Sequence, residues 1–350
     1  MYNLKDYGFL PNMLPEGAAG IPARVTAVHR ERYALVCEHG EVFGRLKSSE
    51  YYDRSGESFP TTGDFVLIDY NAAGDSRILA TLPRKSFFSR HDPTPGRGEQ
   101  AVAANFDYVF ILQSLNHDLN VRRMERYLTQ AWQSGAVPVV VLTKADLVED
   151  AQEAIQMIED VAVGVDVFAV SARTGEGLKA LESYLKPGKT LVLLGSSGVG
   201  KSSLVNALAG KEIMTTGEIR EDDSKGRHTT TYRQLIALES GVMIIDTPGM
   251  RQLGMWDVSE GLGETFADVE ALLGHCRFSD CRHESEPGCA IRAALESGEL
   301  SVKRWESYRT LRSEARYTDD PDSYRRKKRE RNKAIAQNSR RMKKEGKIRK

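Results

Sequence analysis

The order of its motifs constrains this chain more than any other feature. Gly195, Ser196, Ser197, Gly198, Val199, Gly200, Lys201 and Ser202 read G-x-x-x-x-G-K-S/T at every fixed position, the pattern of a phosphate-binding loop. Further on, Asp246 and Gly249 frame Asp-Thr-Pro-Gly at the end of an apolar run, where a magnesium-side carboxylate and a γ-phosphate-sensing glycine belong. Base-reading elements normally follow these two. Here Thr143, Lys144, Ala145 and Asp146 precede them, together with the companion pair Ser171 and Ala172. The set is complete but rotated, which predicts a circularly permuted nucleotide-binding domain.

Each motif carries its own chemistry. Glycines let backbone N–H groups converge on the β-phosphate at a helix N-terminus, while Lys201 supplies a point charge to the β- and γ-phosphates. The hydroxyl of Ser202 is expected on Mg²⁺, and Ser203 follows it within the loop's reach. Asp146 accepts from guanine N1–H and the exocyclic amine, a donor pair that adenine lacks. The stem of Lys144 is expected over the base plane and a backbone N–H near Ala172 at guanine O6. Thr143 stands where many GTPases carry Asn. The segment Gly226-Arg-His-Thr-Thr-Thr-Tyr232 occupies the place of the first switch loop. Thr230, with Thr229 next, is expected to complete the Mg²⁺ shell. Met250 follows Gly249, close to where a glutamine commonly orients water, and methionine cannot do this. His228 is the leading local candidate for the catalytic group, and low intrinsic hydrolysis that needs a partner follows.

Around this domain the 350 residues leave room for two or three cores. Residues 20–85 read as five short strands: Val25–Val28, Tyr33–Cys37, Glu41–Leu46, Phe65–Tyr70 and Arg77–Ala80. They fit a small barrel such as an OB-fold, with an SH3-like barrel as the alternative. Ser89–Gln100 reads as a turn-rich linker. Six strands then follow, at Phe106–Leu112, Val137–Leu142, Val165–Val170, Thr190–Leu194, Tyr232–Leu238 and Val242–Ile245. Helices are expected over Arg123–Gln133, Ala151–Asp160, Leu178–Leu185 and Lys201–Ala209. Each nucleotide motif then falls just after a strand, at the carboxyl edge where doubly wound sheets bind ligands. The expected domains are an OB-fold RNA-binding barrel over residues 1–88, a permuted α/β GTPase over 89–250 and a helical zinc-binding domain over 251–320. Residues 321–350 are expected to be a basic disordered tail.

That last domain rests on Cys276, Cys281, His283 and Cys289, three thiols and one imidazole in a span that suits a closed tetrahedral zinc site. His275 competes for the fourth position, but ligation from adjacent residues is strained. Cys37 is isolated and expected to be packed in the barrel. The formal net charge is zero, yet Arg325–Lys350 holds 14 Lys/Arg against 2 Glu, a net of +12 that leaves −12 on the preceding residues. A basic tail on an acidic body points to a polyanion reached through the tail. No apolar run approaches the roughly 20 residues needed to cross a bilayer. The N-terminus lacks the basic-then-apolar pattern of a signal peptide, so a cytoplasmic protein without membrane contact is expected.

With permuted motifs, a preceding barrel and a following Cys₃His module, the chain resembles the ribosome small-subunit-dependent GTPases, the RsgA/YjeQ family. The resemblance runs from about residue 20 to 316. Its most specific marks are Gly226–Thr231, the Cys276–Cys289 spacing, and Ala103-Ala-Asn105-Phe-Asp107 at the start of the GTPase domain. It implies a GTPase using GTP/GDP, Mg²⁺ and one structural Zn²⁺. It also implies late action on the 30S subunit and its 16S rRNA, with hydrolysis stimulated by the particle, and a monomer. The competing readings are an RNA-binding GTP sensor with little turnover, or a GTPase of another ribosomal particle.

Overall fold

The computed structural model describes residues 2–29, 32–46, 59–91, 99–116, 119–214, 234–246 and 258–319. The chain divides into two compact units, Met1–Leu253 and Gly254–Lys350. His228, Thr230, Gly249, Met250 and the basic tail lie outside the described residues.

In the first unit, β1 (Ile21–Val28), β2 (Tyr33–Cys37), β3 (Gly40–Leu46), β4 (Phe65–Asp69) and β5 (Ser76–Thr81) close into a barrel. Their order is β1-β2-β3-β5-β4, and β4 pairs back onto β1. The β3–β5 contact is parallel while the other pairings are antiparallel. This is the five-stranded, OB-like barrel that the strand pattern predicts. Alternate residues fill it: Ala23, Val25, Leu35, Cys37, Val66, Ile68 and Ile78 are all buried. Gly44 is tied to this filling, because a Cβ there would meet Leu35 at 2.6 Å.

The described ends of the segment read as a linker, Ser89–His91 and Glu99–Gln100, are strand. β6 (Phe87–His91) and β7 (Glu99–Ala104) form an antiparallel pair, with Phe88 opposite Ala103. The Pro- and Gly-rich stretch between them dominates the composition and hides the hairpin. Ala101, Val102 and Ala103, directly after this segment on β7, are buried.

Six strands make the nucleotide-binding sheet: β8 (Tyr108–Ser114), β9 (Val137–Thr143), β10 (Val167–Ala169), β11 (Thr190–Gly195), β12 (Gln234–Ala237) and β13 (Met243–Asp246). They run in the order β10-β9-β8-β11-β13-β12, and all but β12 are parallel. Strands buried on both faces read as apolar runs, and here successive residues go to opposite cores. Val109 and Ile111 join Met124, Leu128 and Ala131 of α1 (Val121–Gln133), with Ile158 of α2 (Gln152–Glu159). Phe110 and Leu112 join Leu204 and Val205 of α3 (Lys201–Ala209) and Leu181. Leu178–Ser183 is a 3-10 helix rather than the longer helix expected, starting directly after Gly177 at φ 73°. A single pairing, Ala27 with Gln234, continues this sheet into the barrel.

The second unit is helical over its described residues: α4 (Ser259–Thr265), α5 (Ala267–Leu273), α6 (Ala290–Ser297) and α7 (Val302–Asp319). Phe266, Ile291, Leu300, Tyr308 and Leu311 form its core, with Cys276, Cys281 and Cys289 packed alongside. No helix among the described residues is long and apolar enough to cross a membrane.

Candidate functional site

The parallel strands deliver the motifs to one sheet edge. Thr143 ends β9, Gly195 ends β11 and Asp246 ends β13. From Gly195 the chain turns through the phosphate loop into α3. Gly198 and Gly200 have φ of 74° and 100°, values that glycine adopts without the Cβ clash other residues suffer. Gly195 is held by space, since a Cβ would stand 2.7 Å from the Leu112 carbonyl. The buried Val199 side chain anchors the loop in the core, while Ser197, Gly198 and Ser203 are exposed and Ser202 is half-buried. The Nζ of Lys201 donates to the carbonyls of Gly195 at 2.8 Å and Ser196 at 2.6 Å, so the ammonium lies over the loop.

Thr143 lies beside this loop. Its hydroxyl donates to the Val199 carbonyl at 2.5 Å, and the side chain is buried. Lys144 takes a left-handed backbone, φ 61°, which turns the chain out of β9. Asp146 accepts from the Ser171 hydroxyl at 2.7 Å through Oδ1, and the guanidinium of the exposed Arg173 lies 3.6 Å from Oδ2. The same Ser171 oxygen accepts from the N–H groups of Arg173 and Thr174, and Ala172 is half-buried beside it. The companion pair thus orients the carboxylate through its hydroxyl, a role that spacing alone does not reveal.

A cation not signalled by any motif joins the loop. Gln113, at the end of β8, bonds both the N–H and the carbonyl of Asn120 at 2.8 and 3.0 Å. Asn120 caps α1 by accepting from the Arg123 N–H. Capping directs the Arg123 guanidinium to the Ser196 hydroxyl at 3.3 Å.

In the second unit Cys276, Cys281, His283 and Cys289 present donor atoms that all lie within 4.8 Å of one another. The His283 Nδ1 is 3.5 Å from the Cys276 sulfur and 3.4 Å from that of Cys289, and the two sulfurs are 4.0 Å apart. Bonds of about 2.3 Å to sulfur and 2.0 Å to nitrogen at tetrahedral angles place such donors roughly 3.5–3.8 Å apart, so the cluster fits zinc. Among the described residues no other such group occurs. Glu286 organises the loop between His283 and Cys289. Its carboxylate accepts from the N–H groups of Arg282, Glu284 and Ser285 at 2.9–3.1 Å, and its own backbone N–H, followed by those of Ser285 and Arg282, holds its pKa at about 2.

A phosphate loop and a preceding base-reading motif on one edge of this sheet define a circularly permuted GTPase. The family model described as RsgA GTPase matches residues 81–256, and the chain belongs to that family. Two Listeria monocytogenes proteins named small ribosomal subunit biogenesis GTPase RsgA are among the relatives. RsgA 2 of strain F2365 is 50% identical over 317 residues, covering 90% of each chain. RsgA 1 of strain EGD-e is 52% identical over 294 residues, covering 84% of this chain and 83% of that protein. Among solved structures, YjeQ from Thermotoga maritima aligns with a TM-score of 0.63 at 26% identity, covering 83% of this chain and 96% of that one. YloQ, described as a circularly permuted GTPase, shares the fold at TM-score 0.58 and 22% identity over 85% of this chain and 96% of that one.

Proposed function

We propose that this chain is a GTPase that binds the 30S ribosomal subunit, assists its late maturation, and hydrolyses GTP to GDP and phosphate when the particle stimulates it. The observation that carries the reading is the guanine motif clamped to the phosphate loop, in a chain half identical to proteins named for small-subunit biogenesis. Lys201 neutralises the β- and γ-phosphates. Ser202 and Thr230 ligate Mg²⁺, with Asp246 acting through water, and Asp146 reads guanine. The loop residues Gly195–Ser203 cradle the phosphates, Gly249 senses the γ-phosphate, and His228 is the candidate catalytic group.

The Cys₃His cluster supports one structural zinc ion, whose thiolate bonds would hold α5 and α6 to the intervening loop. With four protein donors the site leaves no position for substrate, so its role is structural. The barrel and the basic tail supply the contacts to 16S rRNA. The protein works as a monomer in the cytoplasm, with residues 1–88, 89–250, 251–320 and 321–350 as its working divisions.

Measuring GTP turnover with and without purified 30S and 50S particles tests this reading. Acceleration by 30S alone is the expected result. Acceleration by 50S alone would assign another particle, and tight GTP binding with no turnover on either would make the chain a sensor.

A further inference from the structure

The joint between barrel and sheet is built around one arginine. Arg24 lies on β1 and is 1% exposed, where arginine is almost never found unless paired. A guanidinium has five N–H donors, and here each has an acceptor. Nε donates to the Gly63 carbonyl at 3.3 Å, and one terminal nitrogen serves the Tyr7 carbonyl and the Met243 sulfur. The other terminal nitrogen serves the Asn105 carbonyl at 3.0 Å and the Thr190 hydroxyl at 2.9 Å. Burial lowers its pKa to about 10, and the charges of Asp107 and Asp64 partly offset that effect.

These acceptors come from both sides of the joint. Gly63 belongs to the barrel and approaches so closely that a Cβ there would stand 2.1 Å from the Ala104 carbonyl. Asn105, at φ 55°, turns the chain from β7 towards β8 and donates to Gly63 and Asp64. Asp107 accepts from the Thr190 N–H at 2.9 Å and from Lys85 and Lys189. Thr190 and Met243 are register partners in the parallel β11–β13 pair. The guanidinium therefore grips the first residues of the two strands that end in the phosphate loop and in Asp246. At about 3.3 Å per residue those ends lie roughly 17 and 10 Å away.

We infer that Arg24 is a positioning residue for particle-stimulated GTP turnover: it locks the barrel to the feet of β11 and β13, so that a particle holding the barrel also holds the nucleotide site. The inference rests on the small-subunit reading. Met250 stands close to where a glutamine commonly orients water and cannot do so, so stimulation must bring another group, such as His228, into register. Misplacement by about 1 Å costs on the order of 100-fold in such steps. A buried five-donor joint supplies the stiffness, and lysine, with three donors, cannot replace it.

The test compares wild type with Arg24→Lys and Thr190→Val. The second removes one acceptor while keeping a β-branched residue at the start of β11. Basal turnover, KM for GTP, 30S affinity, thermal melting and 30S-stimulated turnover are measured for each. Both variants should keep basal kcat and KM within about twofold, keep 30S affinity within about threefold, and lose at least tenfold of stimulated kcat. Either variant retaining full stimulation overturns the inference, as does a basal rate that falls in step with the stimulated one. If wild type shows no stimulation, the small-subunit reading fails and this inference falls with it.

Discussion

The Thr143 hydroxyl donates to the Val199 carbonyl at 2.5 Å, which makes the first residue of the guanine motif a clamp on the phosphate loop. The bond spans two segments 56 positions apart in sequence. Base recognition and phosphate binding are thus joined before any nucleotide arrives. Substituting Thr143→Val keeps the shape and removes the donor. One buried hydrogen bond is worth about 1–1.5 kcal/mol, so GTP and GDP affinities should both weaken by roughly 5–10-fold. Fluorescent-nucleotide titration checks this. Unchanged affinity for both would show that the clamp carries no binding energy.

Asp146 owes its orientation to Ser171, whose hydroxyl meets Oδ1 at 2.7 Å. Asp146→Asn should shift preference from GTP towards XTP, because the amide donates to xanthine's extra carbonyl. Competition between the two nucleotides reads this directly. An unchanged ranking would mean that the carboxylate does not touch the base.

Lys201→Ala and Ser202→Ala should each abolish hydrolysis, by removing phosphate charge compensation and a magnesium ligand respectively. The Lys201 ammonium already lies within 2.8 Å of two loop carbonyls, close to where phosphate oxygens would replace them. Phosphate release is the measurement, and normal turnover in both variants would remove the loop from the mechanism.

What the sequence made legible was whatever repeats locally. The 3.6-residue spacing of α3, opened by Gly200 and closed by Gly210, sets both of its ends. The Cys spacing announced a cluster that folding does assemble. The barrel strands alternate, and β2 spans the predicted Tyr33–Cys37. What stayed hidden depends on distant partners. Arginine is a surface residue by default, and nothing near Arg24 signals acceptors at Asn105 and Thr190. The Asn105 turn lies inside the Ala103–Asp107 stretch that resembles the family, yet only the structure explains it as the corner of a joint. The β6–β7 hairpin was masked by its turn-rich connection, and Arg123 became visible only once α1 was capped against the phosphate loop.

Acid stability offers a test of the joint. Burial alone would raise the Asp107 pKa, but hydrogen bonds and charge from Lys85, the Thr190 N–H and Lys189 outweigh it and hold the carboxyl below its ordinary 3.8. A depressed folded pKa contributes stability above the unfolded value and loses it as pH falls through the folded one. At neutral pH Asp107→Asn should cost roughly 1–2 kcal/mol, discounted because both lysines are partly exposed. The gap between wild type and variant should close as pH drops below 3.8. Urea midpoints from pH 7 to 3 measure it, and a gap independent of pH would deny Asp107 its charge-dependent role.

The zinc module makes the most separable prediction. Its thiolate and imidazole donors stand at zinc-like spacing, and Trp305 packs edge-on against His283 with ring centroids 5.6 Å apart. Metal bonds in modules of this size supply folding free energy on the order of 10 kcal/mol at neutral pH. Cys281→Ala should therefore cost the bound zinc and unfold α6 and α7 together, rather than loosen one contact. Tryptophan emission should change as Trp305 leaves its packing, and protease should cut within Gly254–Lys350. The nucleotide-binding sheet has cores of its own in Met1–Leu253, so GTP binding should persist. Stimulation by the 30S particle should fall sharply, because Met250 leads directly into this module along the chain. A variant that has lost its zinc and still shows full stimulated turnover would disconnect the module from the reaction.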